Sequence, residues 1–77
     1  MLLLNKMKSF RIVYPKKTNP KSLVNRFVTC ESAEQAIKTI YPFSNNIKWK
    51  RKSTDFSHDE YLVDNILVMV YGEKNVS

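Results

Sequence analysis

Between Glu31 and Pro42 the chain reads ESAEQAIKTIYP, a stretch whose apolar residues recur at helical spacing between a start signal and a stop signal. Ser32 and Gln35 stand at the spacing of a capping box, in which the hydroxyl accepts from an orphan backbone N–H and the glutamine side chain returns the bond. Glu31 and Glu34 lie at the positive end of the helix dipole, and Lys38 nearer its negative end. Ala33, Ala36, Ile37 and Ile40 follow i, i+3, i+4, i+7 and form one apolar stripe. Pro42 disfavours helical geometry at Tyr41 and ends the run. This spacing predicts a helix over 32–41, with two alanines small enough to let it lie close against a sheet. The flanking segments must supply that sheet, because a single striped helix needs a second layer to bury against.

Those segments alternate as strands do. In MKSFRIVY (7–14), Phe10, Ile12 and Tyr14 point one way and Ser9, Arg11 and Val13 the other. PKKTNPK (15–21) interrupts with two prolines and an Asn-Pro pair, and reads as a loop. SLVNRFVTC (22–30) is β-branched and aromatic again; placing Leu23, Phe27 and Thr29 inward leaves Val24, Arg26 and Val28 outward. The two segments predict an antiparallel hairpin with a connection longer than a tight two-residue turn. IKWKRK (47–52) is a third strand. STDFSHDE (53–60) is polar and turn-like, and Ser57 with Glu60 offers a second capping box for a short helix entering YLVDN. The final segment supports two readings. Ile66, Val68 and Val70 alternating with Leu67, Met69 and Tyr71 favour a strand over 66–72, whereas Leu62, Ile66 and Met69 stand at helical spacing. With the strand chosen, the expected fold is α+β: a small antiparallel sheet in the order ββαββ with one helix packed on one face. A single domain is expected over 1–77, with 1–6 a dispensable leader and 74–77 a disordered tail.

A chain of 77 residues buries only about 60% of its unfolded surface, so its core is thin. Small domains compensate with disulfides, metals or self-association. Cys30 is the single cysteine, which rules out an internal disulfide, and His58 is the single histidine, which leaves the chain short of a structural zinc set. An oligomer or a partner is the remaining way to extend the core. The three leucines of MLLLNK fall short of the roughly 7–15 apolar residues of a signal-peptide core, and no apolar run approaches the roughly 20 of a membrane span. Together with a lone thiol, this gives an expected location in the cytoplasm and no membrane partner.

The succession of an N-terminal hairpin, CESAEQAIKTIYP and a strand opening with NIKW resembles many tiny accessory proteins encoded by bacteriophages. The resemblance covers roughly residues 7–52 and lies in the order and spacing of elements. It implies a compact α+β fold and a viral origin, with action in the host cytoplasm, and assigns no chemistry.

Catalytic chemistry is poorly provided for. Ser57, His58 and Asp59 are residue types of a hydrolytic triad, but adjacent side chains project in different directions and do not reach one another as a triad must. Asp59, Glu60 and Asp64 read more simply as an acidic first turn than as a cation site. Cys30 has no base nearby to make it a nucleophile. Gly72 is the only glycine, so a glycine-rich phosphate loop is excluded. No enzyme activity, cofactor or metal is expected.

The basic residues carry more information. Residues 1–52 hold twelve of the thirteen Lys and Arg against Glu31 and Glu34, a net +10, while residues 53–77 set Lys74 against five acids, a net −4. A basic body points to an anionic partner. With the helix covering Phe10, Ile12, Phe27, Ile47 and Trp49, the open sheet face would present Arg11, Arg26, Lys48, Lys50 and Lys52. Arg51 stands among these last, and Lys16, Lys17 and Lys21 extend the set from the loop. Such a platform suits a phosphate backbone. Trp49 is core in this register; the opposite register would expose Trp49 and Phe27 as base-stacking platforms. Lysines on outer strands also block edge-to-edge pairing, and the chain has no aromatic RNP-type stretch and no GXXG. Two functions are therefore carried forward. One is a basic binding module for RNA, DNA or a nucleoprotein. The other is an inhibitor or adaptor that grips a host protein with an acidic or nucleic-acid-binding surface. Self-association is expected through an exposed row of Leu67, Met69 and Tyr71.

Overall fold

The structure is a computed structural model that describes residues 7–55 and 57–75, the last three of these as backbone. The described residues form five strands and one helix: β1 (Lys8–Lys16), β2 (Asn19–Cys30), α1 (Ala33–Ile40), β3 (Ile47–Lys52), β4 (Asp59–Val63) and β5 (Ile66–Asn75). All pairings are antiparallel, and the sheet order is β2-β1-β5-β4-β3. The fold is thus α+β with a small antiparallel sheet, in the order ββαβββ. The expected leader at 1–6 and the end of the expected tail at 76–77 lie outside the described residues, whereas 74–75 belong to β5.

Helix α1 forms as its sequence dictates. The Ser32 hydroxyl accepts from the Gln35 N–H at 3.2 Å, and Gln35 Oε1 accepts from the Glu31 N–H at 2.9 Å. Ala36, Ile37 and Ile40 are buried and join Phe10, Ile12, Val63, Val68 and Val70 in one core cluster. The segment 31–46 carries the chain from the outer strand β2 to the opposite outer strand β3, and the helix is seated in passing. Lys38 Nζ donates to the Ser44 carbonyl at 2.9 Å, closing the turn after the helix.

Three expectations are corrected. The loop over 15–21 is a two-residue turn, Lys17-Thr18, closed by Lys16 opposite Asn19. The extra residues 20–22 bulge from β2, where an outer strand tolerates a proline without losing a ladder bond. Second, β2 has the opposite face assignment. Val28 lies opposite Phe10 and Val24 opposite Tyr14, so these share the helix side, while Leu23 and Phe27 face away from it, 58% and 65% exposed. The pairing register with β1 fixes this, and a one-residue slip inverts a whole strand. Third, no helix follows Ser57. Asp59–Val63 is a strand, and Asp64 and Asn65, with φ of 48° and 71°, form the two-residue turn into β5. Asp and Asn tolerate this left-handed backbone, and the double positive φ matches the twist of a hairpin. The Asp64 carboxylate also accepts from the N–H groups of Asn45 and Asn46, tying this turn to the entry of β3.

Candidate functional site

The sheet face turned away from the helix is ordered by register into three cross-strand rows. The first runs Phe27, Arg11, Tyr71, since Arg11 lies opposite both aromatic residues, and His58 continues it with its ring centroid 4.7 Å from that of Tyr71. The second runs Asn25, Val13, Met69, Glu60, Arg51. The third pairs Leu23 with Pro15 on one side and Leu67, Leu62 and Lys48 on the other. Val13 is buried beneath its neighbours and gives this face an apolar floor.

Arg11 is the centre of the first row. Its guanidinium carbon stands 3.9 Å from the centroid of the Tyr71 ring, and its Nη1 donates to Asn25 Oδ1 at 3.2 Å. Stacking on an aromatic face holds a planar cation at little cost in solvation and leaves further N–H donors available. Beyond Tyr71, His58 Nδ1 lies 3.2 Å from the Ser57 hydroxyl and Nε2 lies 3.9 Å from Glu60 Oε2. Arg11, Tyr71 and His58 therefore lie in ring contact, with Phe27 exposed on the strand beside Arg11.

The basic strand β3 does not supply a free platform. Lys48 is on the open face. Trp49 is on the helix side but lies beyond the helix at the sheet margin, 58% exposed, so it is not the core residue expected. A bulge follows it, and Lys50 and Arg51 come opposite Glu60. Arg51 Nε donates to Glu60 Oε1 at 2.9 Å, and this bond with the nearby Lys50 charge holds the Glu60 carboxyl below its usual range. Lys52 turns to the helix side, where its Nζ meets Asp59 Oδ1 at 2.9 Å. Asp59 also accepts from Trp49 Nε1 at 3.2 Å. Partial burial works against the Asp59 carboxylate, but the Lys52 and Trp49 bonds outweigh it and lower the carboxyl. The acidic segment thus meets the basic strand of its own chain.

The remaining expected cations are dispersed. Arg26 lies opposite Ile12 on the helix side of β2. Because β2 and β3 are the two outer strands, Arg26 and the basic run at 48–52 stand four strand spacings apart, about 19 Å. Lys16, Lys17 and Lys21 are exposed at the β1–β2 turn end. There Pro15, Lys16, Lys17, Pro20, Tyr41 and Ile66 line a groove of about 460 Å³. Phe43, 92% exposed, lines an adjoining hollow with Lys17 and Tyr41. Leu67, Met69 and Tyr71 do share one face, but β5 is the central strand with partners on both sides, so they form no sticky edge. His58 as a member of the aromatic row escaped the sequence reading, because only the β4–β5 pairing brings it to Tyr71. The signal that could have found it was the Asp64-Asn65 pair between apolar runs, a hairpin turn in plain sight.

No protein-family model matches the chain, and neither does any curated protein or solved structure. No helix among the described residues is long and apolar enough to cross a membrane.

Proposed function

We propose that the chain is a non-enzymatic binding module that holds single-stranded RNA or DNA across the open face of its sheet. The observation that carries this reading is the row Phe27–Arg11–Tyr71–His58 on a face the helix leaves uncovered. Unpaired bases stack on aromatic and guanidinium planes whatever their sequence, and cations beside them meet the phosphates. Arg11 serves both purposes, and Lys48 at the far side of the face forms no ion pair among the described residues. The net charge of +6 favours encounter with a polyanion. A phage accessory or counter-defence role belongs to the same proposal. It rests on the order β1, β2, α1, β3, the portion in which the chain resembles such proteins.

The test is fluorescence anisotropy with a labelled twelve-nucleotide uridine or thymidine oligomer. About three phosphates engaged give a log–log salt slope near −2, roughly a twenty-fold loss of affinity between 50 and 200 mM salt. Phe27→Ala is expected to weaken binding by about 1–3 kcal/mol at an unchanged slope, since it removes stacking alone. Arg11→Ala is expected to weaken binding and also to shallow the slope by about 0.7. Absence of binding at 100 μM protein in 50 mM salt overturns the reading.

A second reading has its own observation. The apolar groove at the turn end, with Phe43 exposed beside it and Lys16 and Lys17 on its rim, suits an acidic protein surface bearing an apolar side chain. It is the adaptor or inhibitor alternative. Capture of one host protein that survives nuclease treatment and is lost in Phe43→Ala favours it.

A further inference from the structure

The two outer strands of the sheet are unlike. β3 is six residues long and carries Lys48, Lys50, Arg51 and Lys52, a run of charge of the kind that keeps a sheet edge from pairing with another chain. β2 is twelve residues long, and over residues 22–28 it carries a single charge, Arg26. Its two largest exposed apolar side chains, Leu23 and Phe27, lie on the same face. A long outer strand so lightly charged is a template for a further strand.

We infer that β2 pairs antiparallel with β2 of a second copy, about a two-fold axis through Asn25, to make one continuous ten-stranded sheet. The occupant is chosen by self-complementarity. In an isologous contact, residue i meets residue j and j meets i. With the axis at Asn25, Leu23 of each copy lies opposite Phe27 of the other, so both exposed apolar side chains are paired twice over. Val24 lies opposite Arg26, so the two arginines do not face each other directly, and the regular ladder spans residues 23–27 of each copy, because residues 20–22 bulge from β2. Pro20, which has no N–H to give, lies in the bulge outside the ladder. The helix side is open at this margin, because Arg26 is exposed there. The inference shares Phe27 with the nucleic-acid reading but rests on the β2 edge, and the two respond oppositely to salt. Two copies at +6 each repel, so salt strengthens the dimer, whereas it weakens binding of a polyanion.

The experiment is sedimentation velocity on chain freed of nucleic acid by nuclease and a high-salt wash, in 50 and 500 mM salt. The contact is small, so a dimer at twice the 9.1 kDa chain mass is expected at tens of micromolar, more populated at 500 mM. Leu23→Lys is expected to weaken it at least ten-fold while leaving the circular dichroism spectrum and melting of the monomer unchanged. The register is read by crosslinking in a Cys30→Ser background. Directly opposed residues of an antiparallel pair have Cα atoms about 4.5–5.5 Å apart, within disulfide reach. Asn25→Cys is therefore expected to oxidise rapidly to a covalent dimer. Thr29→Cys, about 27 Å from its counterpart at 3.4 Å per residue, is not. A monomer at millimolar concentration, a dimer indifferent to Leu23→Lys, or equal crosslinking at 25 and 29 each overturns the inference.

Discussion

Trp49 shows how one residue's energetic role follows from its place in the sheet. Its pattern in IKWKRK puts it on the same face as Ile47, and that is where it lies. Yet β3 is an outer strand and α1 does not reach over it, so more than half of the side chain meets solvent. Its indole N–H bonded to Asp59 is a rim interaction. Trp49→Ala is expected to cost about 1 kcal/mol, well below the roughly 3–5 kcal/mol of a buried tryptophan. Ile37→Ala removes a side chain with no exposed surface and is expected to cost about 2–5 kcal/mol. Urea unfolding of both variants checks this, and a Trp49 cost equal to that of Ile37 would place the indole in the core. Lys38 is a parallel case. Sequence alone makes it an ordinary helix-end lysine, but its bond to the Ser44 carbonyl gives Lys38→Ala an expected cost of about 0.5–1.5 kcal/mol.

At the scale of elements, the β4–β5 hairpin depends on two residues with left-handed backbone. Asn65 at φ 71° tolerates it, glycine adopts it freely, and a β-branched residue is strained there. Asn65→Gly is expected to be neutral or stabilising by up to about 1 kcal/mol, and Asn65→Val to cost about 1–3 kcal/mol. Reversal of that order in denaturant melts would remove the turn from the fold. The helix was legible because its signals are local: a cap, a stripe and a proline stop all act within a dozen residues. Ala36→Asp drives a carboxylate into a site with no exposed surface and is expected to unfold the domain, as read by loss of circular dichroism. The turn between β1 and β2 was less legible. Two prolines suggested a loop, but an outer strand accommodates them as a bulge and still closes in two residues.

For the whole molecule, the paired acids give stability a sign with pH. Asp55 accepts from the Ser53 hydroxyl and from the hydroxyl and N–H of Ser57, which hold its carboxyl far below the usual value. Asp59 and Glu60 are lowered as well. A carboxyl lowered in the folded state binds its proton more readily when unfolded, so protonation favours unfolding. The contribution is complete at neutral pH and begins to fade as pH falls through the ordinary values of 3.8 for Asp and 4.5 for Glu. It is lost below the folded-state values. The melting temperature is therefore expected to drop between pH 5 and 3, and the drop to be smaller in an Asp55→Asn, Glu60→Gln double variant. An unchanged pH profile would mean that these bonds do not form in solution.

Local chemistry in the sequence determined the helix and its buried face, the alternation of β1 and the strand over 66–72, and the concentration of positive charge before residue 53. These depend on near neighbours along the chain, where spacing and propensity suffice. Tertiary structure decided the rest. Which way Phe27 faces follows from its register with β1, which no local pattern in 22–30 expresses. Whether Arg51 and Lys52 are free follows from β4 lying beside β3, a pairing made possible by a turn at Asp64-Asn65. And the row of Phe27, Arg11, Tyr71 and His58, drawn from β2, β1, β5 and the residue before β4, exists only once four segments distant in sequence are brought together in that order, because strand pairing is a long-range choice that the alternation of any one strand leaves open.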